Sequence, residues 1–188
     1  MRVEDLKPPT ICVLGGGIVG LMTARELRKR GYLVKITAAE SPANTTSAGA
    51  GGFWEPFHCE PADLVEEWAK ETLSFYLDEY LGRGSPLVEA LAVVQLNDYN
   101  DQGELPTPPR WTSDPRLGFK DLTIVALEAA GGTHPLYCWR GSSRGGDGAD
   151  GVQRIPMPEG WRRYPRAWLW HSVVVDAPRF LGELQRNA

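Results

Sequence analysis

The spacing Gly15-x-Gly17-x-x-Gly20 constrains this chain more than any other feature, because of what stands on either side of it. Thr10 to Leu14 reads as a short apolar strand, and Ile18 to Arg30 carries the apolar period of a helix. A second strand follows at Leu33 to Ala38, so the segment predicts a βαβ unit with a glycine turn at its first corner. The helix also has its stop signals. Arg28, Lys29 and Arg30 sit at the negative end of the dipole, and Gly31 can take the left-handed conformation beyond the last turn.

In that context each glycine has a mechanical task. Gly15 permits the tight turn, Gly17 lets a pyrophosphate approach the backbone, and Gly20 lets helix and strand pack closely. The free N–H groups and the positive dipole end of the helix then face phosphate charge. Glu40 stands 20 positions beyond Gly20, where an acidic residue accepts a hydrogen bond from an adenosine ribose. The bland reading of the same residues is a tight packing turn beside a solvated carboxylate. NAD and FAD are both open at this point, since both offer the same ADP half to such a turn.

Beyond Glu40 a long loop of small and polar residues runs to Phe57, and a helix entered through Pro61 places Val65, Trp68, Ala69, Leu73, Tyr76, Leu77 and Tyr80 on one face. Leu87 to Leu96, Leu122 to Leu127 and Trp168 to Val175 read as strands. Gly141 to Gly151 is too rich in glycine to order itself by burial and reads as a flexible loop. Asp176 and Pro178 open a final helix of about two turns through Phe180, Leu181 and Leu184.

Charge and composition exclude several functions. A net charge of −4 with scattered Lys and Arg gives no footprint for nucleic acid or anionic lipid, and no apolar run reaches membrane-spanning length. Ile11 to Leu21 imitates the apolar core of a secretory leader, but Glu4 and Asp5 precede it and four glycines interrupt it. Cys12, Cys59 and Cys138 are odd in number and lack metal-binding spacing, which favours a reducing, intracellular setting. His58, His134 and His171 show no ligand spacing, and Ser142, Ser143 and Ser172 lack a nucleophile elbow. Trp111, Trp139, Trp161, Trp168 and Trp170, without a basic stripe, are expected in packing roles.

Four stretches together resemble the D-amino-acid oxidase family of FAD-dependent oxidoreductases: residues 11–21, 34–40, 45–57 and 172–181. The most specific is Thr-Thr-Ser-Ala-Gly-Ala-Gly-Gly-Phe-Trp-Glu-Pro-Phe at 45–57. The resemblance implies an α/β architecture: a Rossmann-like FAD-binding βαβ with part of an antiparallel-sheet substrate domain, truncated. The implied spans are 1–81 for the FAD-binding part with its flavin loop and following helix, 82–175 for a partial substrate domain, and 176–188 for a helix returning to the first.

It further implies FAD as cofactor. Gly15, Gly17, Ile18, Val19 and Gly20 would hold the pyrophosphate, Glu40 and Ser41 the adenosine ribose, and Thr45, Thr46, Ser47, Gly51, Gly52 and Phe53 the phosphates and flavin edge. The implied reaction takes a D-amino acid and dioxygen to a 2-oxo acid, ammonia and hydrogen peroxide. Family members are longer, and no position here matches the Tyr and Arg residues that grip the substrate carboxylate, so no catalytic residue is assigned. Two other readings stand beside this one: a non-catalytic remnant that keeps the nucleotide cradle, and an NAD-dependent dehydrogenase. The expected location is cytoplasmic or peroxisomal; which D-amino acid is used and the oligomeric state are not legible.

Overall fold

The computed structural model describes residues 9–56, 59–137 and 152–187. In chain order its elements are β1 Thr10–Leu14, α1 Ile18–Lys29, β2 Leu33–Thr37, α2 Ala62–Glu79, β3 Val88–Asn97, β4 Lys120–Thr123, α3 Ile124–Ala129, β5 Thr133–Tyr137, β6 Val152–Pro156, β7 Arg166–Val175 and α4 Ala177–Asn187. They form two compact units, residues 1–52 with 175–188, and residues 53–174.

In the first unit β1 and β2 pair in parallel, from Thr10 opposite Leu33 to Leu14 opposite Thr37. Parallel neighbours need a crossover, which α1 supplies. Strand alternation is visible in neighbouring residues, for Val13 is buried while Leu14 is 79% exposed. Helices α1 and α4 are in contact, and their buried residues are Leu21 and Ala24 on one, Phe180, Leu181 and Leu184 on the other. The start of α4 is set by Asp176, whose Oδ1 accepts the Arg179 N–H at 3.2 Å. The helix runs 11 residues, three turns where the sequence suggested two.

The second unit is built on an antiparallel scaffold. Strand β7 lies between β3 and β4, and pairs with β4 from Lys120 opposite Leu169 to Thr123 opposite Arg166. Strands β5 and β6 form a separate antiparallel pair. Leu122, Leu127, Ile155, Met157, Trp161, Ala167 and Leu169 make one buried apolar cluster. Trp111 meets Trp54 and Trp170 edge to face, with centroids 5.7 and 5.6 Å apart. Trp111, Trp161, Trp168 and Trp170 are all buried, as their composition context implied, whereas Trp139, His58 and the 141–151 segment lie outside the described residues.

The structure departs from the sequence reading in four places. The boundary drawn at residue 81 moves to Gly52, because α2 is tied into the second unit: the Trp54 indole N–H donates to Ala69 O at 3.2 Å and Arg116 Nη1 donates to Ser74 Oγ at 2.7 Å. Leu122 to Leu127 is not one strand. Thr123 caps α3 by accepting the Ala126 N–H at 3.3 Å, so the chain turns helical at Ile124. Strands β5 and β6 were not anticipated. Finally, Trp68 is 53% exposed, so the buried face of α2 is narrower than its apolar periodicity suggested and centres on Ala69 and Leu73.

Candidate cofactor site

The corner between β1 and α1 is built as its glycines require. Gly15 sits at φ +117°, a conformation that a side chain disfavours, and its N–H donates to Thr37 O at 2.8 Å, fixing the turn to the end of β2. A Cβ on Gly20 would stand 2.1 Å from Gly15 O, so the first turn of α1 lies directly against the glycine turn. Gly16, which the sequence reading passed over, is buried, and a Cβ there would meet Ala38 Cβ at 3.1 Å and Glu40 O at 3.5 Å. Its signal is the unbroken run of three glycines at 15–17, and its role is to let the end of β2 and Glu40 lie beside the turn.

Helix α1 begins without a side-chain cap from Gly17 and without an acidic residue in its first turn. The Ile18 N–H is met from afar: it donates to Ser47 Oγ at 3.1 Å, and the same oxygen lies 3.0 Å from the position a Gly17 Cβ would take. The N–H groups of Val19 and Gly20 have no intrahelical acceptor, and Val19 is 77% exposed. Around Ser47 the chain is a run of tight turns. Thr45 Oγ1 donates to Pro42 O at 2.7 Å, Ala48 N to Thr45 O at 3.0 Å and Gly49 N to Thr46 O at 3.2 Å. Thr45 therefore has its hydroxyl hydrogen committed locally, while Ser41, Thr46, Gly51 and Glu40 are exposed.

The end of this strap is fixed elsewhere. Gly52 accepts the Val175 N–H at 2.9 Å and sits at φ +62°, and a Cβ on it would stand 2.2 Å from Val175 O. Phe53 falls in the second unit, where it bridges Val174. The structure thus joins Gly15, Gly17, Ile18, Val19, Gly20, Glu40 and Ser47 around one corner, carries Thr45 and Thr46 on the same strap, and ties Gly52 to Val175 instead. Beside Phe53 and Trp54, Glu55 is half-buried, and burial pushes its carboxyl above the ordinary range. Among the described residues no cluster of His, Cys, Asp or Glu could hold a metal ion, and no helix is long and apolar enough to cross a membrane.

The donor set suits a dinucleotide phosphate. A Cβ on Gly15 would meet open space, and the first turn of α1, whose early amides lack intrahelical acceptors, follows directly. A parallel βαβ unit with this turn defines a Rossmann-like α/β chain, here combined with antiparallel sheets.

The chain belongs to the DAO family of FAD dependent oxidoreductases, whose family model matches residues 10–118, more than half of its length. It is similar to the D-amino-acid oxidase of Streptomyces coelicolor, with 39% identity over 75 residues, 40% of this chain and 23% of that protein. The D-amino-acid oxidase of Dictyostelium discoideum is 40% identical over 73 residues, 38% of this chain and 21% of its own length. The chain thus spans under a quarter of these relatives. In fold it resembles glycine oxidase from Bacillus cereus, with a TM-score of 0.55 at 16% identity, covering 97% of this chain and 43% of that one.

Proposed function

We propose that the first unit holds the ADP half of FAD, and that the protein of which it forms the cradle oxidises D-amino acids. The observation that carries this reading is the glycine turn at Gly15–Gly20 with Ser47 fastened to the start of α1. Gly15 and Gly17 allow the diphosphate close to the backbone, the Val19 and Gly20 amides donate to it, and Glu40, with Ser41 beside it, accepts from the ribose. Thr46, Gly51 and Gly52 continue toward the flavin. FAD, when bound, supplies the electron acceptor for the substrate's α-carbon; the residues of this chain bind and orient it. The products are a 2-oxo acid, ammonia and hydrogen peroxide. Family membership favours flavin over nicotinamide.

The test is reconstitution. Purified chain is mixed with FAD, or with NAD, and desalted, and the retained nucleotide is read by its visible or ultraviolet absorption. Retained flavin with no retained NAD is expected; a colourless protein from the FAD arm defeats the reading. Peroxide release with D-alanine is then measured on the flavin-loaded protein. Flavin retention with no peroxide would favour a nucleotide cradle that does not turn over substrate.

A further inference from the structure

Ser47 and Ile18 are 29 residues apart in sequence, yet the Ser47 hydroxyl oxygen accepts the first amide of α1, a helix whose own N-cap residue offers no side chain. An oxygen held this way has two consequences. The strap from Thr45 to Gly52 is anchored near its start as well as at Gly52, so it is held at both ends. The Ile18 N–H is also already bonded, while the Ser47 hydroxyl, acting there as acceptor, keeps its own hydrogen to donate. The seat for this oxygen exists because residue 17 has no side chain: a Cβ there would come to 3.0 Å from it.

We infer that Ser47 is a positioning residue, a latch that preorganises the strap against the phosphate turn before any nucleotide arrives. The inference rests on the cofactor reading above for its effect on affinity, but the latch itself is a bond between two residues of this chain. Preorganisation raises affinity by removing the ordering cost from the binding step.

Two measurements on the same chain test it, using wild type, Ser47→Ala, Ser47→Thr, Gly17→Ala and the double variant Gly17→Ala with Ser47→Ala. Hydrogen exchange is followed without nucleotide in peptides covering 16–20 and 45–52, and FAD dissociation constants are measured by flavin fluorescence. In Ser47→Ala both peptides are expected to exchange roughly fivefold faster or more, and FAD to bind about tenfold more weakly, the effect of one hydrogen bond. Ser47→Thr, which keeps the hydroxyl, stays close to wild type in both. Gly17→Ala speeds exchange at 45–52 although it leaves Ser47 intact, and adding Ser47→Ala to it produces little further change. Unchanged exchange in Ser47→Ala overturns the latch, as does unchanged FAD affinity once exchange has risen. If wild type takes no FAD at all, the cofactor reading falls and the exchange arm alone decides the latch.

Discussion

Replacing Gly20 by alanine sets a gain in helix propensity against a steric loss, and the geometry decides the sign. At an open helical position the exchange is worth about 1 kcal/mol in favour of alanine. At Gly20 the new Cβ would stand 2.1 Å from Gly15 O and 2.9 Å from its carbonyl carbon, inside the 3.0 Å limit that real Cβ atoms respect. That carbonyl is not a flexible side-chain end. It belongs to a residue whose N–H is bonded to Thr37 O at 2.8 Å, so displacing it disturbs the junction of β1 and β2. Overpacking a rigid site costs roughly 1–3 kcal/mol, and weakening the Gly15–Thr37 bond adds about 1 kcal/mol. The net expectation is a loss of roughly 1–3 kcal/mol, or about 2–12 °C in Tm. Gly182→Ala in α4 is the matched control. Its Cβ would meet only the Arg186 guanidinium, at 3.7 Å, so this variant should gain about 0.5–1 kcal/mol. Urea unfolding and thermal melts followed by circular dichroism read both. A Gly20→Ala protein as stable as wild type, or one that rises alongside Gly182→Ala, would refute the reasoning.

Three further outcomes follow from other parts of the structure. Arg116 donates to both oxygens of Asp114, which holds that carboxyl below its ordinary value of 3.8. A depressed folded pKa means that the stabilisation is present above the unfolded pKa and lost as pH falls through the folded one. Urea midpoints measured from about pH 5 to about pH 2 should therefore fall less steeply in Asp114→Asn, which starts about 1–3 kcal/mol lower at neutral pH. Ser172 is fully buried and donates to Trp54 O at 2.6 Å; Ser172→Ala should lower stability by about 1–3 kcal/mol in the same melts, and a loss below about 0.5 kcal/mol would contradict the bond's importance. Because Glu40 is exposed, Glu40→Gln should weaken FAD binding by roughly three- to tenfold in a fluorescence titration while leaving Tm unchanged.

The βαβ corner was legible because its determinants are local. Glycine spacing, a 3.6-residue period and the basic end of α1 all lie within a short stretch, and they point the same way. The link between Ser47 and Ile18 was not legible, although both residues were marked as phosphate contacts, because nothing in their 29-residue separation says that they bond to each other. In the second unit, local signals compete. Thr123, Ile124 and Val125 are β-branched and argue for a continued strand, but the Thr123 cap followed by Ala126, Leu127 and Glu128 wins for helix. Strand β5 carries Pro135 in its middle, which hid it from a strand reading, yet it is one strand of a two-stranded sheet, where proline is tolerated. Trp68 followed the helical period of α2 but stands outside the arc that the unit covers, because periodicity gives the direction of a face and not its width.

The first unit is assembled from both ends of a long excursion, since α4 packs with α1 across the 147 residues 30–176. During synthesis, at about 5–20 residues per second, α1 therefore emerges from the ribosome roughly 7–30 s before its partner helix. For that interval α1, with its buried Leu21 and Ala24, is without its helical neighbour. Until translation delivers that helix α1 lacks this neighbour, whereas the second unit is contiguous in the chain and has no such wait built into its connectivity.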